Sequence, residues 1–467
     1  MTLVMKFGGT SVGSAKAIQR TANIILNNRS EWPQQVIIAS AMSGVTDLLF
    51  EGATSAASGD AVTYREVAKK LRQKHFQVIS ELLPTGDEGQ QLTAQLDKFI
   101  ERYESLCKAV LVLGELTPRA LDAMTSIGER MSVRLIASYL RHRGQSAQAI
   151  DATELIVTDD TFQGAVPLMD NTTVCSEARL RPLLEEGVVT VVTGFIGANE
   201  KGVVTTLGRG GSDYSAAILG QALHADEVWI WTDVDGVMTA DPRLVPEAQT
   251  ISTLSYREVA ELAFYGAKVL HPKTIRPVVE NNIPLWIKNT FHPEKSGTEI
   301  VQERSESNGD IKAVTAIRNL SLVVVEGKGM LGVPGIAART FGAVARSNIS
   351  VLLISQASSE QSICFAVPAQ ATKDIVSGLE LEFHRELMCR DIDRITAQER
   401  VAIVTVVGAG MRGTPGIAGR LFSALGDRQV NIIAIAQGSS ECSISMVVDN
   451  LDTAEAEKAI HALIISS

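Results

Sequence analysis

A lysine and a glycine-rich turn lie close to the amino terminus. Lys6 ends a short apolar run and is followed by Gly8, Gly9, Thr10 and Ser11. An ammonium group beside several closely spaced backbone N–H groups suits the phosphate chain of a nucleotide. The same segment is also typical of an exposed lysine next to a glycine turn, so it is informative only together with other motifs.

A second glycine-rich segment, residues 205–214 (TTLGRGGSDY), places Arg209 among three glycines. Ser212 and Asp213 follow at the predicted start of a helix. A guanidinium group binds a carboxylate through two hydrogen bonds, and a helix start offers N–H groups to an anion. A helix cap alone would explain Ser212 or Asp213 but not Arg209. The segment therefore predicts an anion-binding loop.

Two common ATP-binding motifs are absent from the sequence. It contains neither G-x-x-x-x-G-K-[ST] nor the catalytic-loop set of the protein kinases. The pattern G-x-G-x-x-G occurs at Gly327, Gly329 and Gly332 and again 81 residues later. The strands that follow lead to Gln356 and Gln437, whereas a dinucleotide site needs an acidic residue there. We therefore assign these later glycines to tight turns.

Buried parallel strands are the elements expected to position the loop of Lys6 and three other polar loops. Four apolar runs each end in small or polar residues: 3–5, 36–39, 188–192 and 228–231. Runs that are apolar on both faces predict strands covered on both sides. Helical stretches at 62–83 and 90–112 lie between them, which indicates an α/β domain. Ligands of such domains bind at the carboxyl ends of the strands, where the polar loops begin.

The last third of the chain repeats itself. Residues 327–367 align without a gap on residues 408–448, with 19 identities in 41 positions. Each copy has the pattern of a strand, a glycine-rich turn, a helix, two strands and a helix. A charged segment with Pro, Gly and Ser precedes the first copy and is typical of a linker. The predicted domains are residues 1–292, a linker at 293–312, and two repeat modules at 313–395 and 396–467 that could be intertwined.

The overall composition excludes several classes of partner. The 467 residues are 45% hydrophobic and 21% charged, as in ordinary globular proteins of more than one domain. A net charge of -10 without a Lys/Arg block argues against nucleic acid and against an anionic membrane surface. No signal-peptide core or membrane-length apolar run is evident, and the five cysteines lack metal-ligand spacing. We therefore expect a cytoplasmic enzyme.

Seven segments, in this order, resemble the signature segments of the aspartokinases, members of the amino acid kinase superfamily: KFGGTSVGS, SAMSGVTD, SIGERMS, TGFIG, TTLGRGGSDYSAA, WTDVDGVMTADPR and FGAKVLHP. The tandem repeats resemble the ACT pair of these enzymes. The resemblance implies a three-layer α/β/α sandwich with a mostly parallel sheet, followed by two α+β modules of βαββαβ order. It also implies transfer of the γ-phosphoryl group of Mg-ATP to the side-chain carboxylate of L-aspartate.

The resemblance also implies roles for individual residues. Catalysis would depend on Lys6, Arg209 and Asp213. Aspartate would be held by Ser40, Thr46, Glu129, Arg209 and Ser212, with Glu129 suited to the ammonium group. The ATP site would comprise Lys6, Gly8, Gly9, Thr232, Asp233, Met238, Arg243, Lys268 and Val269. Mg²⁺ is expected to enter with ATP, without dedicated protein ligands.

One position of the ATP site differs from the family pattern, and one nearby histidine is given no role. Many relatives have Tyr where this chain has Met238, although a thioether also covers an adenine face. His271 is more typical of a structural residue near a helix end than of a general base, and it receives no role.

The repeats carry a predicted regulatory site. The segments after Gln356 and Gln437 are close to those of threonine-responsive aspartokinases, and lysine-responsive relatives tend to carry Asp at the position of Leu352. The resemblance therefore implies an allosteric site at Ile354, Gln356, Ile435 and Gln437, with threonine favoured over lysine. Alternatively, both glutamines simply end edge strands. ACT modules commonly pair across chains, so a homodimer or higher homo-oligomer is expected.

Two other functions stay open. A kinase for another carboxylate, such as glutamate or acetylglutamate, would use the same fold, but such relatives generally lack the Glu129 segment and the tandem ACT tail. A non-catalytic amino-acid sensor would have a vestigial first domain, which the intact Lys6, Arg209, Asp213 and Asp233 disfavour. The central prediction is that Lys6 and Arg209 face each other across one cleft.

Overall fold

The computed structural model describes residues 1–84, 86–267, 270, 272–302, 311–357, 361–438 and 440–465, which form two compact units. The first unit comprises Met1–Val237, Thr250–Tyr256 and Leu270–Glu303. The second comprises Met238–Gln249, Arg257–Val269 and Arg304–Ser467. The domain boundary near residue 292 stays a prediction, but two segments before it group with the second unit.

Strands and helices alternate along the described residues. The strands are β1 (Thr2–Phe7), β2 (Gln34–Ala39), β3 (Ala147–Ile150), β4 (Val157–Thr158), β5 (Val189–Thr193), β6 (Ile196–Asn199), β7 (Val204–Thr206), β8 (Glu227–Thr232), β9 (Thr253–Ser255), β10 (Leu285–Asn289), β11 (Thr298–Val301), β12 (Ala313–Glu326), β13 (Leu353–Gln356), β14 (Ser362–Pro368), β15 (Arg394–Val407), β16 (Ala434–Gln437) and β17 (Ser443–Asp449).

The helices follow the same numbering by chain order. They are α1 (Ala15–Asn27), α2 (Val45–Ala57), α3 (Thr63–Leu82), α4 (Asp87–Leu113), α5 (Pro118–Thr125), α6 (Ile127–His142), α7 (Met169–Glu185), α8 (Gly211–Ala222), α9 (Tyr256–Phe264), α10 (Pro272–Glu280), α11 (Ile336–Arg346), α12 (Thr372–Glu382), α13 (His384–Cys389), α14 (Ile417–Asp427) and α15 (Thr453–Ile465). None of the helices so described is both long and apolar enough to cross a membrane.

An eight-stranded sheet forms the centre of the first unit, in the order β3-β5-β2-β1-β8-β10-β11-β9. All its neighbouring pairs are parallel except β10 and β11. The four predicted apolar runs are β1, β2, β5 and β8, which lie side by side and are almost wholly buried. Helix α6 packs on β3 and β5 with α1 and α4, and α8 packs on β1 and β8 with α7 and α10. The predicted mostly parallel α/β fold is confirmed.

A smaller sheet of the first unit, in the order β4-β6-β7, lies beside α5. Strands β6 and β7 form an antiparallel pair, and β7 ends at Thr206. The second glycine-rich loop begins directly after Thr206. This small sheet therefore positions Arg209.

The second unit contains a six-stranded antiparallel sheet in the order β13-β14-β12-β15-β17-β16. From β12 to β15 the elements follow the predicted βαββαβ order, and the second repeat adds α14, β16, β17 and α15. Residues 313–317 of β12 pair with residues 403–407 of β15, whereas residues 320–326 pair with both β14 and the start of β15. The two repeats therefore share one sheet through their first strands.

Two glycines of the first repeat allow close packing in a turn. A Cβ atom on Gly327 would lie 2.3 Å from the carbonyl oxygen of Asp391, and one on Gly329 would lie 2.5 Å from the Cα of Asp391. No larger residue fits these positions without moving the backbone. The glycines thus have a packing role, in agreement with the tight-turn interpretation.

Candidate active site

One cavity of the first unit, of about 370 Å³, is bordered by both glycine-rich loops. Lys6 and Arg209 both line it, so the prediction that they share one cleft is confirmed. The other predicted site residues that line it are Gly9, Ser40, Thr46, Glu129, Ser212 and Asp213. Predicted site residues from four separate segments of the chain are thereby brought together at the carboxyl edge of the parallel sheet.

An ion pair joins the first loop to the second. The Nζ atom of Lys6, near the end of β1, lies 2.6 Å from Oδ1 of Asp213 in the first turn of α8. The two side chains are only 12% and 17% exposed, so water screens their charges weakly. The pair therefore holds an ammonium group at the cavity wall with a nearby charge to orient it.

The start of α8 forms one side of the cavity. Gly210 precedes the helix with φ of 72°, a left-handed conformation that glycine adopts without strain. Ser212 and Asp213 therefore lie within the first turn, and the interpretation that one of them is simply the helix cap is wrong. A Cβ atom on Gly194, after β5, would lie 2.7 Å from Oγ of Ser212, so a glycine is needed for this approach.

Two further helix starts border the same cavity. Helix α2 begins after Gly44, which also has a positive φ of 75°, and Thr46 lies in its first turn. Glu129 lies in the first turn of α6. Each helix start carries a partial positive charge from its unsatisfied N–H groups. Together with Lys6 and Arg209, the three helix starts favour a ligand that carries negative charge.

Glu129 is the most deeply buried charged group of the cavity wall. Its side chain is 3% exposed, and its Oε1 accepts a hydrogen bond of 3.2 Å from the N–H of Ala41. Its Oε2 is buried and has no hydrogen-bond partner among the residues that the structure describes. Burial raises the pKa of Glu129 to about 8. A buried carboxyl group with an unused oxygen suits a cationic ligand group such as an ammonium.

Of the described residues predicted for the nucleotide, only Lys6 and Gly9 line this cavity. Gly8 lies next to the end of β8, because its N–H donates a hydrogen bond of 3.3 Å to the carbonyl oxygen of Trp231. Thr232 ends β8, and its hydroxyl group lies 3.3 Å from Oδ1 of the exposed Asp233. Met238 and Arg243 belong to the second unit. Lys268 and Val269, like His271, lie outside the described residues.

The predicted allosteric residues lie on the two outermost strands of the second sheet. Ile354 and Gln356 are on β13, and Ile435 and Gln437 are on β16. All four side chains are exposed. The two positions are equivalent in the repeats, as their constant offset predicts.

Phe195 is a cavity residue that the sequence interpretation did not assign. It lines the cavity and has a positive φ of 70°, which is uncommon for a bulky residue. Its N–H donates a hydrogen bond of 3.0 Å to Oγ of Ser215. The TGFIG segment was the available signal, but a backbone conformation of this kind is not visible in sequence.

The comparisons with known proteins agree with this arrangement. The family model for the amino acid kinase family matches residues 1–289, and a model for the ACT domain matches residues 323–383 and 404–463. Bifunctional aspartokinase/homoserine dehydrogenase 1 of Zea mays is 38% identical over 99% of this chain and 50% of its own length. Aspartokinase 3 of Arabidopsis thaliana is 34% identical over 99% of this chain and 81% of its own length.

Solved structures match over almost the full length. Escherichia coli aspartokinase III with lysine and aspartate (T-state) has a TM-score of 0.80 at 32% identity, over 99% of both chains. The same enzyme with aspartate and ADP (R-state) has a TM-score of 0.78 at 32% identity, over 100% of both chains. This chain spans about half the length of the bifunctional curated relatives that it matches. The chain belongs to the amino acid kinase family and, within it, to the aspartokinases that carry ACT domains.

Proposed function

We propose that this chain is an aspartate kinase, which transfers the γ-phosphoryl group of ATP to the side-chain carboxylate of L-aspartate. The observation that carries the proposal is the single cavity in which Lys6, Glu129, Arg209 and Asp213 meet. The E. coli relative is named in complex with aspartate and ADP, which supports the same pair of ligands here. The product is 4-phospho-L-aspartate, the first intermediate toward lysine, threonine, methionine and isoleucine.

The amino acid is held by charges of both signs. Glu129 binds the substrate ammonium through the oxygen that has no hydrogen-bond partner among the described residues. Arg209 binds a substrate carboxylate with its planar guanidinium group. Ser40, Thr46 and Ser212 line the same cavity and supply hydroxyl groups for the remaining oxygens. Such contacts fix the acceptor oxygen relative to the phosphate, which accounts for much of the rate of a two-substrate reaction.

The transfer step needs no general base, because the acceptor carboxylate is already ionised at neutral pH. One carboxylate oxygen forms a bond to the γ-phosphorus, while the bond from that phosphorus to the bridging oxygen breaks and its electron pair leaves with ADP. Catalysis then consists of alignment and of neutralising negative charge. Lys6, oriented by Asp213, and the helix starts supply that positive charge.

The nucleotide brings Mg²⁺ with it, and phosphate oxygens and water supply most of the metal ligands. In the described part of the chain, no three His, Cys, Asp or Glu side chains are grouped so that the protein alone could hold a metal ion. The residues proposed for ATP are Lys6, Gly8, Gly9, Thr232, Asp233, Met238, Arg243, Lys268 and Val269. Asp213 is proposed to organise the cations at the cavity.

A coupled assay of ADP release tests the reaction against its alternatives. The purified chain is supplied with Mg-ATP and, in turn, aspartate, glutamate and N-acetylglutamate. An aspartate kinase releases ADP with aspartate, and a kinase for another carboxylate releases it with one of the other acids. A sensor with a vestigial first domain releases none with any acid while still binding an amino acid in equilibrium dialysis.

The second unit is proposed to carry feedback inhibition by threonine. Gln356 and Gln437 lie at equivalent, exposed ends of β13 and β16, where a small amino acid could contact both repeats' edge strands. The E. coli relative is named in complex with lysine, so lysine is the competing effector. Inhibition by millimolar threonine but not by lysine is expected; activity unchanged by threonine would contradict the proposal.

Assembly and location are also proposals. ACT modules commonly pair across chains, so a homodimer or higher homo-oligomer is proposed. Light scattering of the purified chain measures this directly. The cytoplasmic location stays a prediction from the sequence, and the plant relatives are named as chloroplastic.

A further inference from the structure

Asp122 is a buried carboxylate that binds segments leading to the cavity, and none of the roles above uses it. It lies on α5 and is 1% exposed. Its Oδ2 accepts hydrogen bonds from the N–H of Thr206 at 2.9 Å and of Gln163 at 3.1 Å, and its Oδ1 accepts one of 2.8 Å from Oγ1 of Thr206. Burial raises the pKa of this carboxyl, and the three hydrogen bonds oppose that rise.

On one side, Asp122 is joined to Glu129 through two successive helices that are separated only by Ser126. Helix α5 ends at Thr125 and α6 begins at Ile127, and the N–H of Ser126 donates to the carbonyl oxygen of Asp122. Glu129 follows in the first turn of α6. Asp122 and Glu129 are only seven positions apart, so a shift of Asp122 is passed to the first turn of α6 through this short link.

On the other side, Asp122 holds the base of the loop that carries Arg209. Thr206 is the last residue of β7, three positions before Arg209. A Cβ atom on Gly208 would lie 3.2 Å from the carbonyl oxygen of Gln163, so the two segments bound by Asp122 also pack on each other there. The carboxylate therefore fixes the strand that leads into the Arg209 turn and the Gln163 segment that packs on this turn.

We propose that Asp122 is a positioning residue that sets the separation between Glu129 and Arg209, and thereby the length of acidic amino acid that the cavity accepts. The inference rests on the proposed function and requires that Glu129 binds the substrate ammonium while Arg209 binds its side-chain carboxylate, because only that separation depends on the length of the side chain. Aspartate and glutamate differ by one methylene group between Cα and the side-chain carboxylate. A pocket discriminates one methylene group by about 10- to 200-fold, so a small change in separation is sufficient to alter the preference.

Asp122→Asn tests this role, because an amide nitrogen would then face N–H donors and loosen the attachment. The measured quantity is the ratio of kcat/KM for aspartate to kcat/KM for glutamate. We expect the ratio to fall about tenfold and the KM for aspartate to rise, while the KM for ATP stays close to that of the wild type. Thr206→Val, which removes only the hydroxyl hydrogen bond, should shift the ratio in the same direction by less.

The matched control is Thr158→Val in the same small sheet. The hydroxyl groups of Thr158 and Thr205 are buried and lie 2.8 Å apart, so this change removes a comparable hydrogen bond without contact to Asp122. It should lower the thermal midpoint but leave the ratio unchanged.

The measured ratios either support or overturn the positioning role of Asp122. An unchanged ratio in Asp122→Asn, or in Thr206→Val if Asp122→Asn does not fold, overturns the inference, as does an equal shift in the Thr158→Val control. A wild-type chain that phosphorylates neither acid instead refutes the proposed function.

Discussion

Two buried glutamates, one in each unit, show how differently the chain uses similar groups. Glu129 of the first unit is 3% exposed, borders the cavity, and has one oxygen without a hydrogen-bond partner among the described residues. Glu258 of the second unit is fully buried, accepts a hydrogen bond of 2.7 Å from the N–H of Ala409, and lies 3.6 Å from Nζ of Lys312. The protein itself supplies the partners of Glu258, whereas a ligand must supply the second partner of Glu129.

Glu258 therefore stabilises the fold, whereas Glu129 is available to bind substrate. An unpaired buried carboxyl is costly, so folded proteins seldom retain one without a function. Its raised pKa has the same origin, because burial penalises the charged form until a cation arrives. We therefore expect changes around the cavity to alter chemistry and affinity, and changes in the second unit to alter stability or regulation.

Among changes at the cavity of the first unit, Lys6→Ala is expected to have the largest effect on turnover. Loss of the ammonium group leaves the transferred phosphoryl charge without a main neutralising partner, so kcat should fall by about 10²- to 10³-fold. Steady-state ADP release measures it. Lys16→Ala, an exposed lysine near the start of α1, is the control and should retain wild-type turnover. Near-normal turnover in Lys6→Ala would remove Lys6 from the mechanism.

Substituting each glutamate by glutamine tests the comparison itself. Glu129→Gln should raise the KM for aspartate about 10- to 100-fold, the usual cost of a lost hydrogen bond to a charged group, with little change in the thermal midpoint. Glu258→Gln should instead destabilise the protein by ~1–3 kcal/mol, because Lys312 loses a charged partner. The two variants are compared by kinetics and by calorimetry. The distinction fails if both lower stability equally and neither alters KM.

The raised pKa of Glu129 predicts that aspartate binding releases a proton. With a pKa of about 8, the side chain is mostly protonated at pH 7 without substrate, and the substrate ammonium favours the carboxylate. Affinity for aspartate should therefore increase up to about tenfold per unit as the pH rises from 6 toward 8. Calorimetry at pH 7 in two buffers of different ionisation enthalpy should show close to one proton released. Glu129→Gln should release none.

The same pKa has a consequence for the stability of the ligand-free protein. Because the folded-state pKa of Glu129 is raised above its ordinary value of 4.5, its contribution is fully present below that value. The contribution is lost as the pH rises through about 8. The thermal midpoint of the wild type should therefore fall more between pH 6 and pH 9 than that of Glu129→Gln.

Gln356→Ala and Gln437→Ala should give the smallest effects, confined to regulation. Each removes a neutral, exposed hydrogen-bonding group, which is worth ~0.5–1.5 kcal/mol. The threonine concentration for half-inhibition should rise about three- to tenfold, with kcat in the absence of threonine unchanged. Dose–response curves for the two variants and the wild type measure this. If neither variant shifts the curve, the glutamines only end their strands.

Local patterns in the sequence were sufficient for much of the first unit. The apolar runs became β1, β2, β5 and β8 because a strand buried on both faces requires continuous apolar residues. The Lys6 loop follows β1 of the parallel sheet, so its place at the carboxyl edge was expected. The Arg209 loop follows β7 of the smaller sheet, and its place in the same cavity was predicted from its anion-binding residues and the family resemblance. The repeat was equally predictable, because its offset is constant along 41 positions.

Contacts between distant segments could not be predicted in this way. Asp122 binds Thr206, which is 84 positions away, and neither residue stands in a pattern that signals the contact. Ala240, in the kinase-like segment WTDVDGVMTADPR, lies in one hydrophobic core with Val406 of β15. Such pairings depend on the whole fold, so a single sequence carries no local sign of them.

Identification of the phosphorylated group tests the central claim most directly. The chain is incubated with Mg-ATP, L-aspartate and hydroxylamine, which converts an acyl phosphate into a stable hydroxamate that chromatography and mass spectrometry can identify. Aspartate held between Glu129 and Arg209 should yield the side-chain hydroxamate, in an amount equal to the ADP released. Formation of the α-hydroxamate, or release of ADP without any aspartyl hydroxamate, would contradict the account.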